Sequence, residues 1–188
     1  MIIKKTVGEL IDYVDERNVD SFIMDFYGIN INKEFMPTVA NIDTVDPKKY
    51  KVVRKNRFVF SGMQTGRDKT IRIGLFIEDN PIIVSPAYTT FEIKDERVIL
   101  PEYFFMLFLR NESDRYGWFI SDSSVRANLD LDRFEEISFD LPPIEVQEKY
   151  VKIYRAISRV PDLKAQIKDI CPILISGAIK EAKGRVKV

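Results

Sequence analysis

Histidine is absent from all 188 residues. Its absence removes Ser-His-Asp and Cys-His nucleophilic catalysis, and with them any histidine-bearing zinc or iron site built within the chain. The one cysteine, Cys171, can form neither an intramolecular disulfide nor a four-cysteine metal site. Such sparing use of cysteine points to a reducing compartment, with the cytoplasm as the default. Long apolar runs are missing too: Ile82–Val84 and Tyr103–Leu109 are far too short to span a bilayer. The opening Met-Ile-Ile-Lys-Lys-Thr has no apolar region behind its lysines, so no signal peptide and no membrane partner are expected. Neither G-x-G-x-x-G nor G-x-x-x-x-G-K-[ST] occurs, and no cofactor is expected. Carboxylate, lysine and tyrosine chemistry is all that remains for catalysis.

What is present is an ordinary apolar share, 45%, enough for one sizeable core. Net charge is zero but unevenly spread. Residues 51–75 carry Lys51, Arg54, Lys55, Arg57, Arg67, Lys69 and Arg72 against Asp68 alone, whereas residues 76–144 hold six basic and fourteen acidic side chains. A concentrated basic stretch in a neutral chain fits local contact with phosphates. Basic strands with solvated edges would explain it equally well.

Residues 7–14 (VGELIDYV) read as a short helix, with Thr6 and Glu9 spaced as a capping box. Tyr50–Phe60 reads as a strand broken by Lys55-Asn56, Ser61–Lys69 as a loop, and Thr70–Ile77, Ile82–Val84 and Tyr88–Lys94 as strands. Pro101–Arg110 reads as a helix started by its proline, and Phe134–Leu141 as a last strand closed by Pro142-Pro143. The period then changes. Val146, Tyr150, Ile153, Tyr154, Ile157 and Val160 keep helical spacing. Beyond Pro161, Leu163, Ile167, Ile170 and Leu174 step by four, three and four, the seam of a short coiled coil, with Pro172 near its end. The fold expected is α+β: a mixed α/β globule over residues 1–143, then a helical, coiled-coil region over 144–188.

The stretch LPPIEVQEKYVKIYRAI, Leu141–Ile157, resembles the junction between recognition domain and spacer helix in the specificity subunits of type I restriction–modification systems. VDERN (Val14–Asn18), the run Pro37–Phe60, IVSPAYTTFEI (Ile83–Ile93) and Ser123–Pro143 resemble one branch of the same family. The resemblance implies a non-catalytic subunit whose target-recognition domain reads part of a bipartite sequence in double-stranded DNA. It also implies helical spacers that bind a DNA adenine methyltransferase subunit, and a separate restriction/translocase subunit for cleavage. One recognition domain and one helical region stand here where full-length subunits carry two of each. A half-subunit that pairs with a second copy, as a homodimer, is the expectation.

For DNA binding the candidates are Arg54, Lys55, Arg57, Gln64, Thr65, Arg67, Lys69, Arg72 and Arg126. Gln64 suits adenine, Arg67 or Arg72 guanine, and Lys69 a phosphate, while Gly62 and Gly66 would let backbone approach the duplex. Tyr150, Ile153, Ile157, Leu163, Ile167, Ile170 and Leu174 are the candidates for partner and dimer contacts. Two other classes stay open. Asp79, Glu92 and Lys94 follow the D-x₁₂-E-x-K pattern of Mg²⁺-dependent nucleases, although solvent-side alternation in YTTFEIK explains two of them. A protein-interaction module without DNA would keep only the helices. The aromatic-rich middle (Tyr88, Phe91, Tyr103, Phe104, Phe105, Phe108, Trp118, Phe119) suits core packing better than stacking on bases.

Overall fold

Ten short strands, six α-helices and one 3₁₀ turn (Pro47–Lys49) are described in a computed structural model of the chain, which covers residues 2–39, 45–63, 65–122 and 127–160. The chain divides into two units, residues 1–148 and 149–188. In the first, β1 (Ile3–Thr6) pairs antiparallel with β10 (Ser138–Leu141), Ile3 opposite Leu141. A second sheet has the order β2 (Ile11–Tyr13), β9 (Thr89–Ile93), β6 (Phe58–Ser61), β7 (Arg72–Leu75), antiparallel throughout. A third has the order β4 (Phe35–Pro37), β3 (Phe26–Ile29), β8 (Ile82–Val84), β5 (Lys51–Val53), in which β3 and β8 run parallel.

Strand alternation in β6 explains how these layers stack. Phe58 and Phe60 face the helices: Phe58 stacks on Phe91 at 5.0 Å and meets Phe104 edge-on at 5.2 Å, while Phe60 stacks on Phe134 at 4.0 Å. Phe104 belongs to α3 (Pro101–Phe108), which begins with proline in its first turn. Phe134 belongs to α5 (Leu131–Glu136), capped by Asp130, whose carboxylate accepts the Arg133 N–H at 2.9 Å. Val59, between the two phenylalanines, faces the other way and joins Ile29, Val53, Phe76, Ile82 and Val84 in a cluster between the second and third sheets. Phe26, Val52 and Ile83 form a further cluster on the third sheet, with Ile23, Val45 and Tyr50 against them.

Several expected elements change on folding. The opening helix is a single turn, α1 (Val7–Leu10), because Ile11–Tyr13 is recruited as a strand against β9. Its capping box forms, with the Thr6 N–H donating to Glu9 Oε2 at 2.8 Å. Phe134 lies in a helix, and the last strand starts only at Ser138. Lys55-Asn56 interrupts Tyr50–Phe60 so completely that β5 and β6 lie in different sheets. Asn111–Ile120, to which no element was assigned from the sequence, is α4.

The helix α6 (Ile144–Ser158) follows Pro142-Pro143. Its first turn is fixed by Gln147, whose side chain is fully buried. Gln147 Oε1 accepts the Leu100 N–H at 3.1 Å, and its Nε2 donates to the carbonyls of Val98 and Pro142, both at 2.9 Å. In the second unit only residues 149–160 are described, and there Tyr150, Ile153, Ile157 and Val160 are exposed. Leu163, Ile167, Ile170 and Leu174, with Pro161, Cys171 and Pro172, lie outside the described residues.

Candidate nucleic-acid interface

The basic stretch 51–75 is split by the strand that runs through it. Arg54, Lys55 and Arg57 lie on the turn before β6, and Arg67, Lys69 and Arg72 lie beyond its other end. A four-residue strand separates the two groups by roughly 13 Å.

The first group is held by acidic partners from elsewhere in the chain. Arg54 Nη2 meets Glu16 Oε1 at 2.6 Å, and Lys55 meets Asp79 at 2.6 Å. Arg57 is buried and donates to Glu16 at 2.9 Å, to Glu92 at 2.8 Å and to the Val52 carbonyl at 2.7 Å. Hydrogen bonding to Arg54, with Arg57 adding to it against the opposing effect of burial, holds the Glu16 carboxyl below the usual range. Arg57 is therefore enclosed by its own carboxylates and is not presented to a ligand. Counting charge along the sequence misses this, because Glu16, Asp79 and Glu92 lie outside the counted window.

The second group sits on the connection between β6 and β7, where α2 (Thr65–Asp68) makes one helical turn, and on Arg72, the first residue of β7. Arg67 and Arg72 both pair with Asp68, Arg67 at 3.0 Å. Burial would raise the Asp68 pKa, but the two arginines outweigh it and keep the carboxyl low. Lys69, exposed and in the left-handed region at φ 55°, ends the turn and places its ammonium 4.9 Å from the centre of the Trp118 ring, a cation–π contact. Thr65 points inward. It is fully buried, and its hydroxyl donates to the Gly62 carbonyl at 3.0 Å, so the structure withdraws it from any surface contact. Gln64 and Arg126 lie outside the described residues.

Both glycines of this connection serve packing against the chain itself. The Leu129 N–H donates to Gly62 O at 2.8 Å, and a Cβ on Gly62 would lie 1.8 Å from Leu129 O. Gly66 N donates to Ala127 O at 2.8 Å, and a Cβ there would lie 2.7 Å from Ala127 Cβ. The close backbone approach they permit is to residues 127–129, not to a duplex. At the far end of the connection, the Ile71 N–H donates to Asp114 Oδ1 at 2.8 Å. Asp114 is paired with Lys33, which no local sequence signal marks.

The D-x₁₂-E-x-K residues are each engaged elsewhere: Asp79 by Lys55, Glu92 by Arg57, and Lys94 by the Gly8 carbonyl at 3.0 Å. Among the described residues no group of three or more potential ligands is arranged to hold a metal ion. No helix among them is long and apolar enough to cross a membrane. Of the aromatic middle, Phe91, Phe104, Phe105 and Phe108 are core, whereas Trp118 and Phe119 are exposed at the end of α4.

The model of the type I restriction modification DNA specificity domain matches residues 8–177. This chain belongs to that family. Among curated relatives, the HindI type I restriction enzyme specificity subunit of Haemophilus influenzae is 21% identical over 140 residues, which are 73% of this chain and 30% of that subunit. Among solved structures, the S subunit of the type I restriction–modification system of M. genitalium superposes with a TM-score of 0.54 at 16% identity, over 92% of this chain and 43% of that one. A chain from a study of complex assembly and conformational transition in a type I system superposes at 0.51 and 12% identity, over 97% and 42%. The specificity-domain chain described here thus spans less than half the length of each of these relatives, and the mixed α/β fold is shared with the two solved structures.

Proposed function

We propose that this chain is a sequence-reading module of a type I restriction–modification system, binding duplex DNA and carrying no chemistry of its own. The family match over residues 8–177 carries the reading. The connection 62–71 supports it, as a backbone-anchored segment bearing Arg67 and Lys69 on exposed positions. Arg67, Lys69 and Arg72 are assigned to the DNA surface. Arg54 and Lys55 flank it as phosphate contacts that must first leave Glu16 and Asp79, and Arg57 is assigned to the scaffold. Gln64 and Arg126 remain candidates on the strength of their residue types.

Residues 1–143 form the reader in this proposal and 144–188 the spacer and docking region. The exposed stripe Tyr150, Ile153 and Ile157 binds the adenine methyltransferase subunit, and the restriction/translocase subunit joins through that assembly. The seam Leu163, Ile167, Ile170 and Leu174 pairs with the same seam of a second copy as a coiled coil. Because it acts on chromosomal DNA, the complex is assigned here to the cytoplasm.

Mapping methylated adenines in a host that expresses the chain with its methyltransferase tests the reading. The expected result is one interrupted motif, palindromic for a homodimer, lost when Arg67 and Lys69 are both alanine. Affinity for a duplex bearing that motif should fall linearly on a log–log plot with salt. Absence of duplex binding at low salt, by the chain alone and in the complex, would refute it.

A further inference from the structure

The side chain of Lys33 is only 5% exposed, yet it lies on the short connection between β3 and β4, where lysines normally reach water. It holds a left-handed backbone conformation, φ 65°, and turns its ammonium inward. There Nζ donates to Asp114 Oδ1 at 2.8 Å, to Asp114 Oδ2 at 2.9 Å and to the Thr70 hydroxyl at 2.9 Å. Asp114, on α4, accepts the Ile71 N–H with the same Oδ1. One ion pair, with Lys33 buried and Asp114 half-buried, thus bridges three parts of the fold: the β3–β4 connection, the exit of the cationic segment, and α4. About one turn further along α4 the packing continues, where a Cβ on Gly117 would lie 2.5 Å from Ile71 Cγ1.

A buried ion pair contributes little net stability over an apolar pair of the same size, because desolvation offsets the attraction. What it does supply is direction, since a bidentate carboxylate and an ammonium fix the groups bonded to them. The groups fixed here are Thr70 and Ile71, between Lys69 and Arg72. The other end of the segment is already tied down by Gly62 and Gly66 against residues 127–129.

We infer that Lys33 and Asp114 are positioning residues for DNA recognition: their buried pair holds residues 65–72 in the one arrangement that matches the target. The inference rests on the assignment of that segment to the DNA surface. A segment freed at Thr70–Ile71 keeps its positive charge, so attraction to phosphates survives while alignment to base edges does not.

The test uses the full chain with Lys33→Met, with Asp114→Asn, and with Arg67→Ala/Lys69→Ala as the reference. Asp114→Asn keeps an acceptor for the Ile71 N–H and is the milder change should Lys33→Met melt. Two quantities are read: amide hydrogen exchange over residues 65–72, and the ratio of affinities for a duplex carrying the methylated motif and one with that motif scrambled. Both latch variants should raise exchange at 65–72 about tenfold with β6 and β9 unchanged. They should also lower the affinity ratio roughly tenfold, the scale of one lost base contact, while binding to the scrambled duplex stays the same. An unchanged ratio in a folded Asp114→Asn protein overturns the inference. If the Arg67→Ala/Lys69→Ala reference binds both duplexes as well as the wild type, the assignment of the segment is what fails.

Discussion

Arg57 separates a scaffold role from a DNA-binding one, and Arg57→Met decides between them. The guanidinium makes three charge-assisted contacts, to Glu16, Glu92 and the Val52 carbonyl. Removing one partner of a buried pair costs about 3–5 kcal/mol when the other charge is stranded. Here the carboxylates are not fully stranded: the Glu16 and Glu92 side chains are 33% and 44% exposed, and Glu16 keeps Arg54. The group left without a partner is the Val52 carbonyl, at about 1–3 kcal/mol. A loss of about 2–3 kcal/mol follows, or roughly 4–12 °C in Tm for a chain of this size. Thermal melts by circular dichroism measure the first quantity, and anisotropy titration of a labelled target duplex, well below the melt, measures the second. DNA affinity of the folded protein should stay within about twofold, because the guanidinium has no route to a phosphate. A variant that melts like the wild type but binds DNA tenfold more weakly would refute the assignment to the scaffold.

Acid should weaken this network and, separately, the Asp68 pairs with Arg67 and Arg72. Glu16 and Asp68 are held below their ordinary values of 4.5 and 3.8, so the stability they contribute is complete above those values and is lost as pH falls through the lower, folded ones; Glu16→Gln should flatten the Tm profile below about pH 4.5. Gly62→Ala, whose Cβ would meet backbone and not a movable side chain, should cost about 3 kcal/mol in chemical denaturation. Gln147→Leu strands the Leu100 N–H and the Val98 and Pro142 carbonyls and should also cost about 3 kcal/mol; a neutral effect would mean water replaces the amide. Ile153→Asp with Ile157→Asp, at exposed positions, should move stability by less than about 0.5 kcal/mol while abolishing co-purification with the methyltransferase subunit.

Local signals in the sequence survived into the structure and non-local ones did not. The capping box at Thr6 and Glu9, the proline start of α3 and the apolar run Ile82–Val84 depend on near neighbours and are where spacing put them. Ile11–Tyr13 continued a helical pattern, yet pairing with Phe91–Ile93 decided its conformation, a tertiary override of periodicity. Phe134 looked like strand beside Ile137 and Phe139, but Asp130 capped a helix there. At the candidate site, the cationic character of 67–72 was legible in composition. What could not be read was which groups were already matched: Glu92 and Glu16 reach Arg57 across 35 and 41 residues, and Asp114 reaches the Ile71 N–H across 43. The resemblance at Leu141–Ile157 was legible as a contiguous motif, although the buried amide of Gln147 within it serves Leu100 and Val98, 47 and 49 residues away.

The antiparallel pair β1–β10 has a consequence for synthesis. Ile3 and Leu141 lie opposite each other, so the first strand made must wait for the last one of its unit. At about 5–20 residues per second on the ribosome, that wait is on the order of ten seconds. β2 waits for β9, and β3 for β8, in the same way. During that interval the edges of several strands and the apolar side chains of β6 have no lasting partners, and such edges are where chains join wrongly. The β1–β10 pair can close only once Leu141 has emerged, whereas the second and third sheets have all their strands as soon as Ile93 has.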